Sequence, residues 1–423
     1  MSLQQTGNTL NDTQFQSNQV FVPPSLQFKP VKQGLAARRV PVKWRAEQQT
    51  YSSNNNKLIR IILPNNALYD TRGGYLTFDV NLTVTGGTYK RVHTGIFSIF
   101  NRLRVLFSST EVEDLRDYNR IYSALWEMIN PTLTTSNLAM SLGFGTQADR
   151  DNAGGTTTSY ACPMFSGVLN TELLPFDNVA SGMVLELYLE DGTACIETDG
   201  TNPIITISNI VFHMERLELD AAYRSFIASY VRASGLTLGF TTWERFTQAL
   251  PGGTIQNITI NSKASSVNGI LNFLILSTDL NNTLVNNKFL TWLPLSLQQY
   301  NVLINGTIFP DEPIDTISAN RFEAYEIMAR WLRAWKLSGF LPDPAPISTA
   351  SFAIDRFVFI LDFEPYPECT DIINPFTTLG NNGNIIIKLV FNGLIPPNYQ
   401  LDSWVESFRQ VTIESKGSVK VIQ

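Results

Sequence analysis

Two histidines limit the catalytic chemistry that this sequence could support. His93 lies at a loop–strand border in Tyr89–Thr94, and His213 lies in a strand-like segment, Ile210–Met214. Two histidines are too few for a zinc site built from histidine ligands. A Ser–His–Asp site would need one of them as its base, but neither is accompanied by a Gly-x-Ser-x-Gly elbow. We therefore predict packed histidines, no catalytic residues and no metal site.

Acidic pairs are the second set of side chains that could do chemistry. Glu111 with Glu113, and Asp311 with Glu312, flank the two joins between a strand and a helix. The simpler interpretation is a solvated turn or a helix N-terminus, where a carboxylate stabilises the helix dipole. The alternative is a glycosidase-like carboxylate pair, but no aromatic-lined sugar cleft can be inferred around either pair.

Motifs for nucleotides and cofactors are weak or missing in the sequence. Gly143-Phe144-Gly145 is an isolated Gly-x-Gly in a polar loop, without the strand–turn–helix context of a nucleotide site. A Gly-Lys-Ser/Thr phosphate loop does not occur. We predict no cofactor and no small-molecule substrate.

Cysteine usage bears on the compartment. Cys162, Cys195 and Cys369 are an odd number without Cys-x-x-Cys spacing, so a disulfide framework or zinc site is not expected. Reduced thiols in a cytosolic or nuclear assembly setting fit better. The first residues lack the apolar stretch of a signal peptide, and no apolar run approaches the roughly 18 residues of a membrane helix.

Six basic residues cluster before the first strand signal, although the whole chain carries a net charge of −6. They are Lys29, Lys32, Arg38, Arg39, Lys43 and Arg45. Residues 1–48 are polar, contain several prolines and show no helical or strand period, which is typical of an extended arm. Because the cations alternate with Pro, Val, Leu and Trp44, the pattern favours an arm that docks under neighbouring subunits. Contact with nucleic acid or an inner membrane is the second interpretation, and a solvated tail without a role is the third.

Bulk composition indicates two protein-contacting domains. The 423 residues are 43% apolar, enough for two domains with separate cores. Only 16% are charged, below the roughly 25% of a typical soluble domain, and Asn, Thr, Ser and Gln fill the difference. Such a surface suits strands, turns and extensive protein–protein contact, and the net charge does not favour a nucleic-acid binder as a whole.

The chain repeats one order of strands and a helix after about 200 residues. The first copy comprises Leu58–Leu63, Tyr75–Val80, Phe100–Phe107, the helix Asp114–Ile129, Tyr160–Leu169, Met183–Glu190 and Ile204–Leu219. The second comprises Thr254–Ile260, Ile270–Leu276, Leu297–Ile304, the helix Asn320–Trp335, Phe357–Phe363, Asn384–Phe391 and Phe408–Ile422. A period this long is typical of two copies of one domain, not of a solenoid.

The helix of the second copy carries Trp331 and Trp335 one turn apart. Its amphipathic pattern is compatible with a membrane-surface role. A helix packed across the end of the second sandwich is favoured, because the first copy has its equivalent in the same place.

Together these patterns predict an all-β fold. We expect two tandem eight-stranded antiparallel jelly rolls (a double jelly roll), each with one inserted helix, and an extended N-terminal arm. The predicted bounds are 1–56 for the arm, 57–225 for the first jelly roll and 226–423 for the second.

Three segments resemble the double jelly-roll major capsid proteins of virophages, polinton-like viruses and large eukaryotic DNA viruses. Met214–Arg224 is similar to the family's strand between the two barrels, Gln299–Gly306 to a strand of the second barrel, and Gln410–Gly417 to the closing strand. The resemblance covers residues 57–423. Lys288–Pro294 departs from the large-virus sequence at that place, which favours the smaller viruses of the lineage.

This resemblance implies a structural role in a virion. The implied assembly is a homotrimer that forms pseudo-hexameric capsomers and packs with neighbouring capsomers into an icosahedral shell. Penton and minor capsid proteins are implied as further partners, the arm could contact an inner membrane or the genome, and assembly would occur in the host cytoplasm or nucleus. The residues themselves leave two other classes open, a two-domain β-sandwich carbohydrate-binding or adhesin protein and a jelly-roll hydrolase.

Overall fold

A computed structural model gives the architecture of most of the chain. It describes residues 37–65, 67–93, 95–129, 157–171, 173–175, 181–264, 266–285, 288–304, 306–317, 319, 321–337, 347–363, 385–414 and 417–422. Within these ranges the chain is dominated by strands.

Among the described residues, twelve strands precede residue 220. They are β1 Ala37–Arg45, β2 Thr50–Ser52, β3 Leu58–Leu63, β4 Leu68–Thr85, β5 Lys90–Val92, β6 Phe100–Phe107, β7 Thr110–Arg116, β8 Thr158–Pro163, β9 Leu174–Pro175, β10 Met183–Leu189, β11 Ile196–Thr198 and β12 Thr201–Leu219. Nine more follow residue 235: β13 Leu236–Ala249, β14 Ile255–Ile260, β15 Val267–Leu276, β16 Leu297–Ile304, β17 Thr307–Asp315, β18 Val358–Asp362, β19 Ile385–Phe391, β20 Tyr399–Ile413 and β21 Val419–Ile422.

Five α-helices lie within the described residues. They are α1 Tyr118–Ile129, α2 Gly192–Cys195, α3 Ala221–Ser234, α4 Phe322–Leu337 and α5 Thr349–Ile354. Helix α3 connects the last strand of the first set to the first strand of the second, and the Asp220 side chain caps it by accepting a hydrogen bond from the Ala222 amide.

Two sheets recur with the same order of four strands; β2 and β9 are added to one sheet of the first set, and β21 is added to the equivalent sheet of the second. In the first set they run β1-β12-β4-β8 and β3-β10-β6-β7, and in the second β13-β20-β15-β18 and β14-β19-β16-β17. In the sheets β3-β10-β6-β7 and β14-β19-β16-β17, all neighbouring strands are antiparallel. Within the described residues, no strand before α3 shares a sheet with a strand after it. This is the jelly-roll arrangement in duplicate, and it confirms the predicted fold class.

Alternating side chains explain why these segments form facing sheets. In β3, Ile59, Ile61 and Leu63 are fully buried while the residues between them are not. The same alternation occurs in β14, where Ile258 and Ile260 point to the core. Each sheet therefore offers one apolar face to its partner, which is how a sandwich buries its core.

The strands that the sequence repeat matches with one another occupy equivalent positions in the two barrels. Phe100–Phe107 and Leu297–Ile304, predicted with these bounds, are both the third strand of the sheets that begin with β3 and β14. The other strand pairs of the repeat also match in sheet position, and α1 and α4 follow β7 and β17. The domain bounds at residues 57 and 226 remain a prediction.

Several element bounds differ from the predicted ones. Residues 114–116 belong to β7, not to the helix, because β7 pairs with β6 up to Arg116 and the left-handed Asp117 (φ 50°) precedes the helix. Phe408–Ile422 is not one strand, since Gly417 (φ 75°) lies in a turn between β20 and β21. Residues 37–45 and 50–52, assigned to the arm, form strands that pair with β12.

Helix α4 packs against the second barrel, as predicted. Trp331 is 1% exposed, lies edge-on to Trp243 with ring centroids 6.1 Å apart, and donates from Nε1 to Glu406 Oε2 at 3.3 Å. The indole therefore contributes to the core and is not available to a membrane surface. The side chain of Trp335 lies outside the described part of the structure.

Candidate functional site at the junction of the two barrels

The histidines are packed, as predicted. His93 is fully buried, with the Phe289 ring 5.9 Å from it. His213 stacks on Tyr75 at 4.6 Å and shares a hydrogen bond of 2.8 Å with Thr77 Oγ1, and burial together with Lys43 lowers its pKa. Neither imidazole has the serine and carboxylate neighbours of a catalytic triad among its described contacts.

The described ranges contain neither a cluster of metal-ligating side chains nor a membrane-spanning helix. Across those residues, no three His, Cys, Asp or Glu side chains group as metal ligands. No helix there is both long and apolar enough to cross a bilayer. Cys162 and Cys195 are free and buried, and burial raises the pKa of the Cys162 thiol to about 12. Cys369 lies outside the described residues.

Glu113 is the most deeply buried acid at the junction of the barrels. It is fully buried and accepts hydrogen bonds from the Gly167 amide at 2.9 Å, from the Ser166 hydroxyl, and from Thr242 Oγ1 at 3.0 Å. The Val168 amide approaches it at 3.4 Å. Burial raises the pKa of this carboxyl, although the hydrogen bonds oppose the shift. Because Thr242 belongs to β13, one carboxyl of the first barrel is tied to the second.

This burial corrects the sequence interpretation of the first acidic pair. Glu111 lies at the surface and bonds Arg104, as a solvated position should. Glu113 does not, because the turn around Ser166 and strand β13 enclose it. Glu111 and Glu113 do not form a glycosidase-like pair either, because Ser166, Gly167 and Thr242 donate hydrogen bonds to both oxygens of Glu113.

Backbone also meets backbone beside Glu113. A Cβ atom built on Gly167 would lie 1.8 Å from the carbonyl oxygen of Thr241 in β13. Glycine therefore permits an approach between the barrels that no other residue allows.

An ion-pair network extends the junction. Arg245 of β13 bonds Asp402 of β20 at 2.5 Å and Asp117 of the first barrel at 2.7 Å. Arg120 of α1 reaches the same Asp402 oxygen at 3.3 Å, and Thr247 Oγ1 donates to its other oxygen at 3.0 Å. Two cations thus share one carboxylate that is itself 3% exposed.

The pKa shifts in this network follow from its crowding. Burial lowers the pKa of Arg120, and the neighbouring Arg245 guanidinium lowers it further. For Arg245 burial also disfavours the charge, but Asp402 and Asp117 outweigh it and the pKa is raised. The network holds both guanidinium groups charged while fixing the angle between the barrels, since its members come from both.

A loop of the second barrel makes a third contact with the first. Lys288 is 3% exposed, and its Nζ donates to the carbonyl oxygen of Thr193 at 2.9 Å. Nearby, the Thr198 amide donates to the carbonyl oxygen of Thr283 at 3.0 Å. Burial lowers the pKa of Lys288 to about 8. These bonds, with Glu113 and the Asp402 network, join the barrels at three separate places.

We expect Lys288 to give the chain a distinctive alkaline pH dependence. Below pH 8 both folded and unfolded chains carry the charge, and the folded state bears the cost of burying it. Between pH 8 and 10.5 the folded state releases this proton first, so wild-type stability rises relative to Lys288→Met. From pH 7 to 9.5 the difference should move by about 2 kcal/mol in favour of wild type. Urea unfolding of both proteins at the two pH values measures it, and a constant difference would contradict it.

Strand β1 carries four of the six predicted contact residues. Val40, Val42 and Trp44 are half-buried, with Trp44 edge-on to Tyr69 at 6.5 Å, whereas the basic residues between and around them are exposed. These are Arg38, Arg39, Lys43 and Arg45. Lys29 and Lys32 lie outside the described residues. The alternation of Val, Trp and basic residues was a strand signal that the low apolar content of the preceding residues obscured.

Arg39 of this set forms ion pairs with two carboxylates of the first barrel. Its guanidinium bonds Glu215 of β12 at 2.9 Å and Asp70 of β4 at 3.3 Å. The pKa of Asp70 is lowered, chiefly by its hydrogen bond to Arg72 and additionally by Arg39. Arg39 therefore fastens β1 to the sheet, and Lys43 and Arg45 remain exposed on an edge strand that pairs with β12 on one side.

Comparison with known proteins identifies the fold. No protein-family model and no curated protein sequence matches this chain. Among solved structures, the PBCV-1 crystal structure fitted into a cryo-EM reconstruction of the virophage Sputnik has a TM-score of 0.60 at 10% identity, covering 94% of this chain and 99% of that one. A quasi-atomic model of the PBCV-1 virus capsid gives 0.55 at 11% identity, with 94% and 99% covered. The Faustovirus major capsid protein gives 0.54 at 9% identity, with 93% of each chain covered.

These similarities extend over both barrels and confirm, for the fold, the resemblance seen in the sequence. The three matched structures are double jelly rolls, and each match covers at least 93% of both chains.

Proposed function

We propose that this chain is a structural subunit, the major capsid protein of an icosahedral DNA virus. The observation that carries the proposal is the duplicated strand order combined with a junction closed by buried polar groups. Together they make one pair of similar barrels that hydrogen bonds and ion pairs join. The known structures with this fold that are described as a virus capsid and as a major capsid protein support the same role.

A joined pair of similar barrels is suited to a homotrimer. Three copies would supply six similar barrels, so a capsomer could present a pseudo-hexagonal outline to its neighbours. Such trimers would pack with neighbouring capsomers, penton proteins and minor capsid proteins in the virion. The segment that precedes β1, with Lys29 and Lys32, is proposed to contact neighbouring subunits, with an inner membrane or the genome as the alternative.

A structural role also accounts for the chemistry of the conspicuous side chains. Glu113, Asp402 and Lys288 are used to join barrels, and the histidines are packed in sheets. We therefore propose that the chain acts through assembly, without an enzymatic reaction.

Native mass and particle shape test the proposal. We expect the purified chain to have three times the monomer mass in light scattering and to form threefold particles of hexagonal outline, or closed shells, in negative-stain microscopy. Glycan binding without any oligomer would instead support the carbohydrate-binding alternative. A strictly monomeric chain at every concentration and salt tested would refute the capsid role.

A further inference from the structure

The junction inside the chain is directional. Its first side is strand β7 with the start of α1, which contribute Glu113, Asp117 and Arg120. Its second side is β13 with β20, which contribute Thr242, Arg245 and Asp402. Strand β7 ends one sheet of the first barrel, and β13 begins one sheet of the second. Repetition of such a contact between unlike surfaces produces rings or filaments.

The equivalent surfaces exist a second time and are exposed. Strand β17 ends the sheet of the second barrel that corresponds to the sheet ended by β7, and β1 begins the sheet of the first barrel that corresponds to the sheet begun by β13. The ladders differ in one respect: Val105 pairs with Glu113, whereas the register of β17 shifts between Ile314 and Phe309, and Asp311 and Glu312 lie in that irregular stretch. Glu113 is fully buried against the second barrel, whereas Glu312 is exposed.

Charge makes the two exposed surfaces complementary. Strand β17 contains Asp311, Glu312 and Asp315 and no basic residue, and all three are exposed. Strand β1 contains four basic residues and no acidic one. One pair of the internal junction has the same polarity, since Asp117 on the β7 side meets Arg245 on the β13 side, and the Arg120–Asp402 pair has the opposite one. Opposite charges placed this way give an interface its register and suppress wrong pairings.

The β17 surface also offers an apolar centre. Ile317 is 61% exposed, Phe322 is 57% exposed and Ile308 is 49% exposed, all within or just after β17. Exposed large apolar residues beside a charged rim are typical of a protein-binding patch. Pro310 and Pro313 lack the amide hydrogens that a strand added at this edge would need, so a partner should bind through side chains.

We propose that the β17 surface of one copy binds strand β1 of a second copy of this chain, and that this contact repeats the internal β7–β13 junction. The acidic group Asp311, Glu312 and Asp315 would meet Arg38, Lys43 and Arg45, with Ile317 and Phe322 at the centre. Alternation of internal and intermolecular junctions closes a ring of six barrels from three chains. The inference rests on the proposed function, because it names the surfaces that would hold the proposed trimer together.

Charge reversal with rescue tests the contact on the full chain. One variant carries Lys43→Glu and Arg45→Glu, the second carries Asp311→Lys and Glu312→Lys, and the third combines all four substitutions. Arg39 is retained because it bonds Glu215 and Asp70 within the chain. Trimer dissociation is followed by light scattering against concentration, and circular dichroism confirms that each variant is folded.

We expect each two-site variant to dissociate at least about tenfold more readily than wild type, since like charges then face each other. The four-site variant should recover trimers to within about threefold of wild type, because the charge pattern is exchanged and not lost. A control with Lys263→Glu and Lys420→Glu makes the same charge change as the Lys43→Glu and Arg45→Glu variant, on exposed lysines elsewhere, and should behave as wild type.

The outcomes separate this inference from the proposed function. Folded two-site variants that trimerise as wild type would overturn the β17–β1 contact and leave the capsid role intact. Equal weakening by the control would also overturn it, since net charge alone would then explain the effect. A wild-type chain that never forms trimers would overturn both.

Discussion

Replacement of Glu113 by alanine should lower the free energy of unfolding by about 3 kcal/mol. The substitution leaves the buried Gly167 and Val168 amides without their acceptor and opens a space between the barrels. Removing a carboxylate whose pKa is raised by burial returns part of that loss, but two unsatisfied amides cost more than the relief. Urea unfolding of the purified chain, followed by circular dichroism, measures the effect.

Two further variants isolate the cause. Glu113→Gln keeps the shape and one acceptor oxygen, so its loss should be about 1 kcal/mol. Glu111→Ala removes a neighbouring acid that is 43% exposed and paired with Arg104, so it should cost less than about 1 kcal/mol. Equal losses for Glu111→Ala and Glu113→Ala would show that the buried carboxyl does not join the barrels.

The pH dependence of Glu113→Gln provides a second readout. The pKa of Glu113 in the folded chain is above its ordinary value of 4.5. As pH falls from the raised pKa of the folded state toward 4.5, the folded state takes up a proton before the unfolded state does. Wild type should therefore gain stability relative to Glu113→Gln over this pH range. A loss of relative stability over the same range would contradict a carboxyl destabilised by burial.

Strand periodicity made most of the fold predictable. Where apolar residues alternate or run continuously, as in Phe100–Phe107 and Leu297–Ile304, the predicted bounds match the structure. Strands at the edges were missed because their sequences look like loops. Thr307–Asp315 carries two prolines and three acids, and Ala37–Arg45 follows a long polar stretch.

The junction could not be predicted from local sequence. Ser166 and Thr242, which surround Glu113, lie 53 and 129 residues away in the chain, so no pattern near Glu113 distinguishes it from the exposed Glu111. The same holds for Asp402, which is 282 residues from Arg120. The sequence shows that both acidic pairs precede a helix at equivalent places in the repeat. Only the fold shows that Glu113 of the first pair is buried and that Glu312 of the second is exposed.

Replacement of Asp402 by alanine should have the largest effect on the junction, a loss of about 3–5 kcal/mol. Its carboxylate is the shared partner of Arg120 and Arg245, and without it Asp117 is the ion-pair partner that the described residues still offer the two guanidinium groups. Two like charges held close with one counterion repel each other in a poorly solvated site. Asp402→Asn should be nearly as harmful, because it preserves volume but not charge.

Asp191→Ala is the matched control. Asp191 also forms an ion pair of 2.5 Å, with Lys57, but its side chain is 64% exposed, so its loss should cost only about 0.5 kcal/mol. Combining Asp402→Ala with Arg245→Met removes one of the stranded cations and should recover part of the lost stability. The tryptophan emission of Trp404, over which Arg245 lies at 5.9 Å, reports the local change in both variants. Strictly additive losses in the double variant would show that Asp402 and Arg245 act independently, and the charged network would then not be what fixes one barrel against the other.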